Sequence, residues 1–376
     1  MFPYLVVNIL NVICAFFADI SYRKYKPLCW FWLALIILTC TVIYGLRDFG
    51  VGTDTILYTG LYFKEATYVH DWVSFMNTPE HMDKGYVVIA MISHFLGDKP
   101  QALLIFTEFF IITFFILGLY QLKKVWGIHF WIYIFIFCCL LAGYSLNLMR
   151  QFCAMSMLFF GFSLLVQKKW IPYVVIQILA YYIHSTSVCF LCVPMIYFMS
   201  FLTNIKLRNI VTVAGFILLA AMISSYFYFL AWAGDLGIIT ELYADRYSEG
   251  GEFATGNERF SWGMTIYAYW LVTLILIFVA YKIKACEGRT IYITFTMFII
   301  TTLLQQLNQI VMNMHRVSLY IAIVYYAYLS MLYKSPKITI VIKILGYMLF
   351  AYQWYKLAAH RGISVYPYTS KILGIG

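Results

Sequence analysis

Apolar residues run in long unbroken stretches along this chain, interrupted at short polar intervals. Continuous apolar character over roughly 17 to 25 residues predicts helices that cross a membrane. Such stretches lie near residues 3–20, 28–45, 101–120, 128–146, 148–167, 170–184, 186–202, 209–231, 262–281, 290–310, 314–333 and 338–354. In hydrocarbon only helices and closed barrels satisfy their own backbone, and runs that do not alternate favour helices. The expected fold is therefore an all-α polytopic membrane protein of about 12 transmembrane helices, one integral membrane domain over residues 1–376. Residues 86–97, YVVIAMISHFLG, do not fit that series. Twelve residues make about 18 Å of helix, short of a hydrocarbon core of roughly 30 Å. This segment is expected to be re-entrant or interfacial on the outer side, which makes residues 45–100 one external region and residues 232–262 a second.

Composition enforces the same class. Hydrophobic residues are 63% of the 376 positions and charged residues 11%, more apolar side chain than a soluble domain of this length hides. Basic residues collect in short loops on one side: Arg23, Lys24 and Lys26; Lys123 and Lys124; Lys168 and Lys169; Lys206 and Arg208; Lys282, Lys284 and Arg289; Lys334 and Lys337. By the positive-inside rule that side is the cytoplasm. The tail with Lys356, Arg361 and Lys371 then falls outside, a mild violation. Twelve of the sixteen acids sit in residues 45–85 and 232–262, the expected external regions. The net charge of +10 is spread over inner loops as a topology signal, so no nucleic-acid partner is expected. Eight of the nine cysteines lie in apolar runs and Cys286 in an inner loop, so neither a disulfide framework nor a metal site is expected. The first run lacks a basic leader and a small-residue cleavage site and is expected to stay as an anchor. A nucleotide-phosphate loop is missing from the sequence, which disfavours an ATP-driven pump.

Three polar sites fall at expected outer ends of spans. The first is GLRDFGVGTDTILY, residues 45–58, where Arg47 offers a charged fork suited to phosphate and Asp54 and Tyr58 share a helical face. The alternative there is an interfacial loop, with Arg47 snorkelling and Asp54 capping a helix. The second is SLNLMRQF, residues 145–152, in which Arg150 and Gln151 open an otherwise apolar helix. A cation at that depth faces a cavity or a partner, either a bound anion or a distant acid in a structural ion pair. The third is YYIHSTS, residues 181–187, where His184 precedes Ser185 and Ser187 and supplies a proton acceptor near neutral pH; packing through a hydrogen bond is its plainer role. Further on, Gln305, Gln309, Asn313 and Arg316 form a polar stripe with His315 beside it, a substrate contact or hydrogen bonding by side-chain amides between helices. The loop at 232–262 mixes Asp245, Arg246, Tyr247 and Arg259 with aromatics, the chemistry of sugar binding by stacking and multidentate hydrogen bonding, or else a solvated loop.

GLRDFGVGTD with Tyr58, then Arg150 and Gln151, then His184 and Ser185, resemble in order and spacing the EpsG-like branch of Wzy-type polysaccharide polymerases, over about residues 1–200. The resemblance implies a GT-C-like glycosyltransferase in the bacterial inner membrane with its active site facing the periplasm. It implies a donor and an acceptor that are both undecaprenyl-diphosphate-linked oligosaccharides, no cofactor, no metal, and a chain-length-determining co-polymerase as partner in the membrane lipid. Carried onto matching positions, Arg47, Arg150 and Arg316 would grip the donor diphosphate, and His184 or Asp54 would take the proton of the acceptor hydroxyl. Attack opposite the leaving group would invert the anomeric carbon. The sequence departs from the family pattern at Phe49 and Val51, which leave Asp48 and Asp54 as the acids of the first motif. An O-antigen ligase shares the architecture, but such ligases carry a histidine in a long external loop and residues 232–262 have none. A flippase of lipid-linked sugars is the rival from outside enzymology; inverted repeats, its usual sign, are missing from the sequence.

Overall fold

A computed structural model describes residues 2–79, 82–224, 232, 263–308, 314–359 and 365–375. It is 81% helix, with no strands among the described residues. Two compact units divide the chain: Met1–Val188 with Leu329–Gly376, and Cys189–Tyr328.

In the first unit, α1 (Phe2–Lys24) packs on α2 (Lys26–Gly45). The break between them is set by Pro27, which is tolerated in the first helical turn, where its missing N–H is not needed. After residues 46–52, α3 (Thr53–Leu57) runs through one wide turn, Tyr58–Tyr62, into α4 (Phe63–Ala66). The short helix α5 (Trp72–Met76) starts at a reciprocal cap between Asp71 and Ser74. Those hydrogen bonds from Ser74 hold the Asp71 carboxyl below the usual carboxylate range. Next come α6 (Lys84–Ser93), α7 (Gln101–Trp126), α8 (Phe130–Leu140), α9 (Ala142–Asn147), α10 (Met149–Val166) and α11 (Trp170–Ile183). Contacts link α2 to α7, α7 to α10, α10 to α11 and α1 to α8. The centre is filled by rings: Phe115 meets Phe137, Phe152 and Phe159, and Phe159 stacks on Tyr133 at 5.2 Å.

The two ends of this helix layer differ in chemistry. At the basic end Lys123 pairs with Asp19, and the Trp131 N–H donates to the other Asp19 oxygen at 3.1 Å. At the opposite end the tail 365–375 lies on the loop after α2: Tyr368 donates to the Ile43 carbonyl, the Asp48 N–H to Thr369, and the Lys371 N–H to the Asp48 carboxylate. The tail and the first motif, both expected outside, are thus neighbours.

The second unit holds α12 (Cys192–Met199), α13 (Ile205–Ser224), α14 (Gly263–Lys282), α15 (Gly288–Leu307) and the first two-thirds of α16 (Met314–Lys334). Arg208 sits 4.5 Å from the centre of the Tyr292 ring, and Arg289 lies 4.4 Å from that of Phe201. The last helix, α17 (Ile340–Ala359), belongs to the first unit and packs on α8.

Among the described residues six helices are long and apolar enough to cross a membrane, α1, α2, α7, α10, α15 and α16, so the protein is multi-pass. Several expected spans are shorter than their apolar runs. The run 128–146 breaks at Leu141 into α8 and α9, and the run 186–202 opens as tight 3-10 turns over Ser185–Leu191 before α12. The segment expected not to cross is α6 with one further turn, His94–Leu96, and it buries Tyr86, Val87, Ile89 and Ala90 against its neighbours.

Candidate functional site

The loop after α2 turns at Gly52, whose φ of +96° is unfavourable for any residue with a Cβ. A Cβ there would also lie 2.8 Å from Thr55 Oγ1 and 3.2 Å from the Leu146 carbonyl oxygen. The turn sets α3 against the end of α9, where Asn147 Oδ1 accepts from Thr53 Oγ1 and from the Asp54 N–H, both at 3.1 Å. Gly52, not Asp54, occupies the N-cap position, so the alternative in which Asp54 caps a helix does not hold at α3.

Arg47 lies under this turn. Its side chain is 0% exposed, paired at 2.9 Å with Glu108 of α7, itself 0% exposed. The guanidinium also donates to the carbonyls of Tyr44 and Leu146. The expectation of an open fork at this position is corrected: the guanidinium is closed off by one carboxylate and two backbone oxygens. It ties α2, α7 and α9 together behind the motif. Gln101 donates to the Arg47 carbonyl at 3.2 Å and closes the same knot.

In front of it, the wide turn Tyr58–Tyr62, closed by the Phe63 N–H on the Tyr58 carbonyl, brings two phenol rings to one cation. The Arg150 guanidinium carbon is 5.3 Å from the centre of Tyr58 and 5.2 Å from that of Tyr62. Its Nη1 donates to the Tyr62 hydroxyl at 2.6 Å and to Asp83 Oδ2 at 2.7 Å. Arg150 Nε is buried without a hydrogen-bond partner among the described residues. Burial pushes the Tyr62 phenol up, with Arg150 opposing, so its proton stays on at neutral pH. The Tyr58 hydroxyl reaches Asp54 at 3.5 Å.

The same Asp83 oxygen lies 3.4 Å from His184 Nδ1. His184 ends α11 in an extended conformation, and Asp83 precedes α6. Their approach depends on Gly85, where a Cβ would fall 2.7 Å from the Ile183 nitrogen and the Tyr182 carbonyl carbon. Arg150, Asp83 and His184 are 15%, 19% and 15% exposed, so water and a polar group can reach all three.

The structure therefore gathers Asp54, Tyr58, Arg150 and His184 into one continuous cluster. Gln151 donates to Met155 Sδ along its own helix, and Ser187 is fully buried with its N–H on the His184 carbonyl. His315 meets Asn308 at 2.9 Å in the second unit, to which Arg316 also belongs. Asp245, Arg246, Tyr247, Arg259, Gln309 and Asn313 lie outside the described residues. Sequence reading missed Glu108, Asp83 and Tyr62. Glu108 carried a usable signal: it is the sole acid in its apolar run, and an ionisable group at that depth implies a partner. Asp83 had none, standing in an acid-rich external region.

The model of the family described as the EpsG family matches residues 4–370. No curated protein and no solved structure matches the chain.

Proposed function

The chain belongs to the EpsG family, and on that premise we propose that it polymerises oligosaccharide repeat units carried on undecaprenyl diphosphate into a surface polysaccharide, working on the periplasmic face of the bacterial inner membrane. The observation that carries this reading is Arg150. It is a cation at a helix end, backed by two phenol rings, with a buried unmet Nε and a histidine sharing its carboxylate. A donor diphosphate brings the negative charge such a group accepts, and the first turn of α10 adds backbone N–H groups to it.

In the reaction, the acceptor hydroxyl oxygen forms a bond to the anomeric carbon of the donor. The bond from that carbon to the phosphate oxygen breaks, and the lipid diphosphate leaves with the electron pair. His184 takes the hydroxyl proton, Arg150 stabilises the departing charge, and attack from the opposite face inverts the centre. Asp54, held beside Tyr58, binds acceptor hydroxyls. Arg47 positions the motif from behind rather than touching the donor. The reaction as written needs no metal.

Cells carrying Arg150→Ala or His184→Ala test the reading through their glycan ladders. Loss of polymer with single repeat units still displayed is expected. Loss of both polymer and single units overturns it in favour of a ligase or a flippase.

A further inference from the structure

An aspartate ahead of a helix normally turns its carboxylate onto the N–H groups of the first turn, worth about 1 kcal/mol. Asp83 stands at that place before α6, yet its side chain makes no capping bond. One oxygen instead serves Arg150 Nη1 at 2.7 Å and His184 Nδ1 at 3.4 Å.

Three supports hold it in that orientation. The Asp83 N–H donates to the Tyr62 hydroxyl, the same oxygen that receives Arg150. Lys84, next in sequence, turns away and ties the carbonyls of Phe75, Met76 and Thr78. Gly85 lets the start of α6 touch the backbone at the end of α11, so the distance from Asp83 to His184 is fixed by main chain rather than by flexible side chains. Asp83 ahead of α6 meets the imidazole, and Arg150 on α10, backed by the phenols of Tyr58 and Tyr62, shares that carboxylate.

We propose that Asp83 is a positioning residue that keeps the His184 proton on Nδ1 and so presents Nε2 as the base toward the acceptor hydroxyl. A neutral imidazole has one donor and one acceptor nitrogen, and the partner of one decides the role of the other. The inference rests on His184 being the base of the proposed reaction. It adds that Arg150 and His184 are coupled through one carboxylate: a diphosphate on Arg150 competes with Asp83 for the guanidinium and leaves that carboxylate to the imidazolium formed in the transition state.

The test uses the full-length protein in lipid nanodiscs and the lipid-diphosphate-linked oligosaccharide that accumulates in cells lacking it. Asp83→Asn is expected to lower turnover by about a hundredfold or more, the direction seen when a histidine loses its orienting carboxylate. It also moves the acid limb of the kcat/KM profile to lower pH, because the imidazolium loses its counter-charge. In a His184→Ala background the same change adds little further loss, and Asp83→Glu restores part of the activity. An acid limb that does not move, or full additivity with His184→Ala, overturns the inference. Nitrogen-15 NMR of the wild-type histidines, with His184 assigned by comparison with His184→Gln, reads the tautomer without relying on any Asp83 variant. Protonated Nδ1 is expected, and protonated Nε2 overturns the inference. If His184→Ala itself remains active, the assignment of the base fails instead, which separates the two failures.

Discussion

Replacing Glu108 by leucine leaves the Arg47 guanidinium fully buried, with two backbone carbonyls and no counter-charge. At an effective dielectric near 20, unit charges about 3 Å apart attract by roughly 5 to 6 kcal/mol. That attraction offsets the desolvation of two ions, so removing one partner costs about 3–5 kcal/mol. Arg47→Leu is expected to cost a similar amount. The double variant Arg47→Leu with Glu108→Leu buries no charge. Its remaining loss is the donors to the Tyr44 and Leu146 carbonyls, about 1–3 kcal/mol. The coupling between the two positions is therefore expected to reach at least about 3 kcal/mol. Unfolding titrations in mixed detergent micelles measure it. Costs that add to within about 0.5 kcal/mol would refute the reasoning, because they would mean that the charges do not depend on each other. The double variant also separates stability from positioning: if it folds and makes polymer, the buried pair serves stability alone; if it folds and makes none, the placement of the motif depends on the pair.

Gly52→Ala forces a side chain into a positive φ beside Thr55 Oγ1 and is expected to cost about 1–3 kcal/mol. Gly50→Ala, with nothing within 4 Å of the new carbon, serves as the control in the same thermal-shift assay. Gly85→Ala drives a methyl into the end of α11; overpacking of about 1–3 kcal/mol and a loss of polymer on glycan ladders are expected, against little change for Gly60→Ala. His129, between α7 and α8, is held below its ordinary value of 6.5 by burial, with Asp19 opposing and Lys123 adding to the effect. A depressed histidine means that the unfolded chain binds the proton first. Stability present above pH 6.5 is thus expected to fall as the solution is acidified through it. His129→Gln should flatten that fall in melting temperatures recorded from pH 7.5 to 5; an unchanged slope would count against it.

What the chain declares by itself is what composition and period can carry. Unbroken apolar runs read as helices because hydrocarbon leaves the backbone no other partner, and each of the twelve runs is helical over at least part of its described length. Arg150 and His184 were legible as isolated polar groups at the ends of oily segments, since exposing such residues there has an energetic cost that needs a reason. What surrounds them was not legible. Arg47 and Glu108 are 61 positions apart, Arg150 and Asp83 67, and His184 and Asp83 101. Nothing local distinguishes Asp83 from the other acids of its region. The helix packing decided that one arginine is walled in by a carboxylate while the other shares its carboxylate with a histidine. Helix formation answers to neighbours a few residues away, whereas ion pairing answers to Coulomb attraction across a few ångströms, and only the folded chain sets that distance.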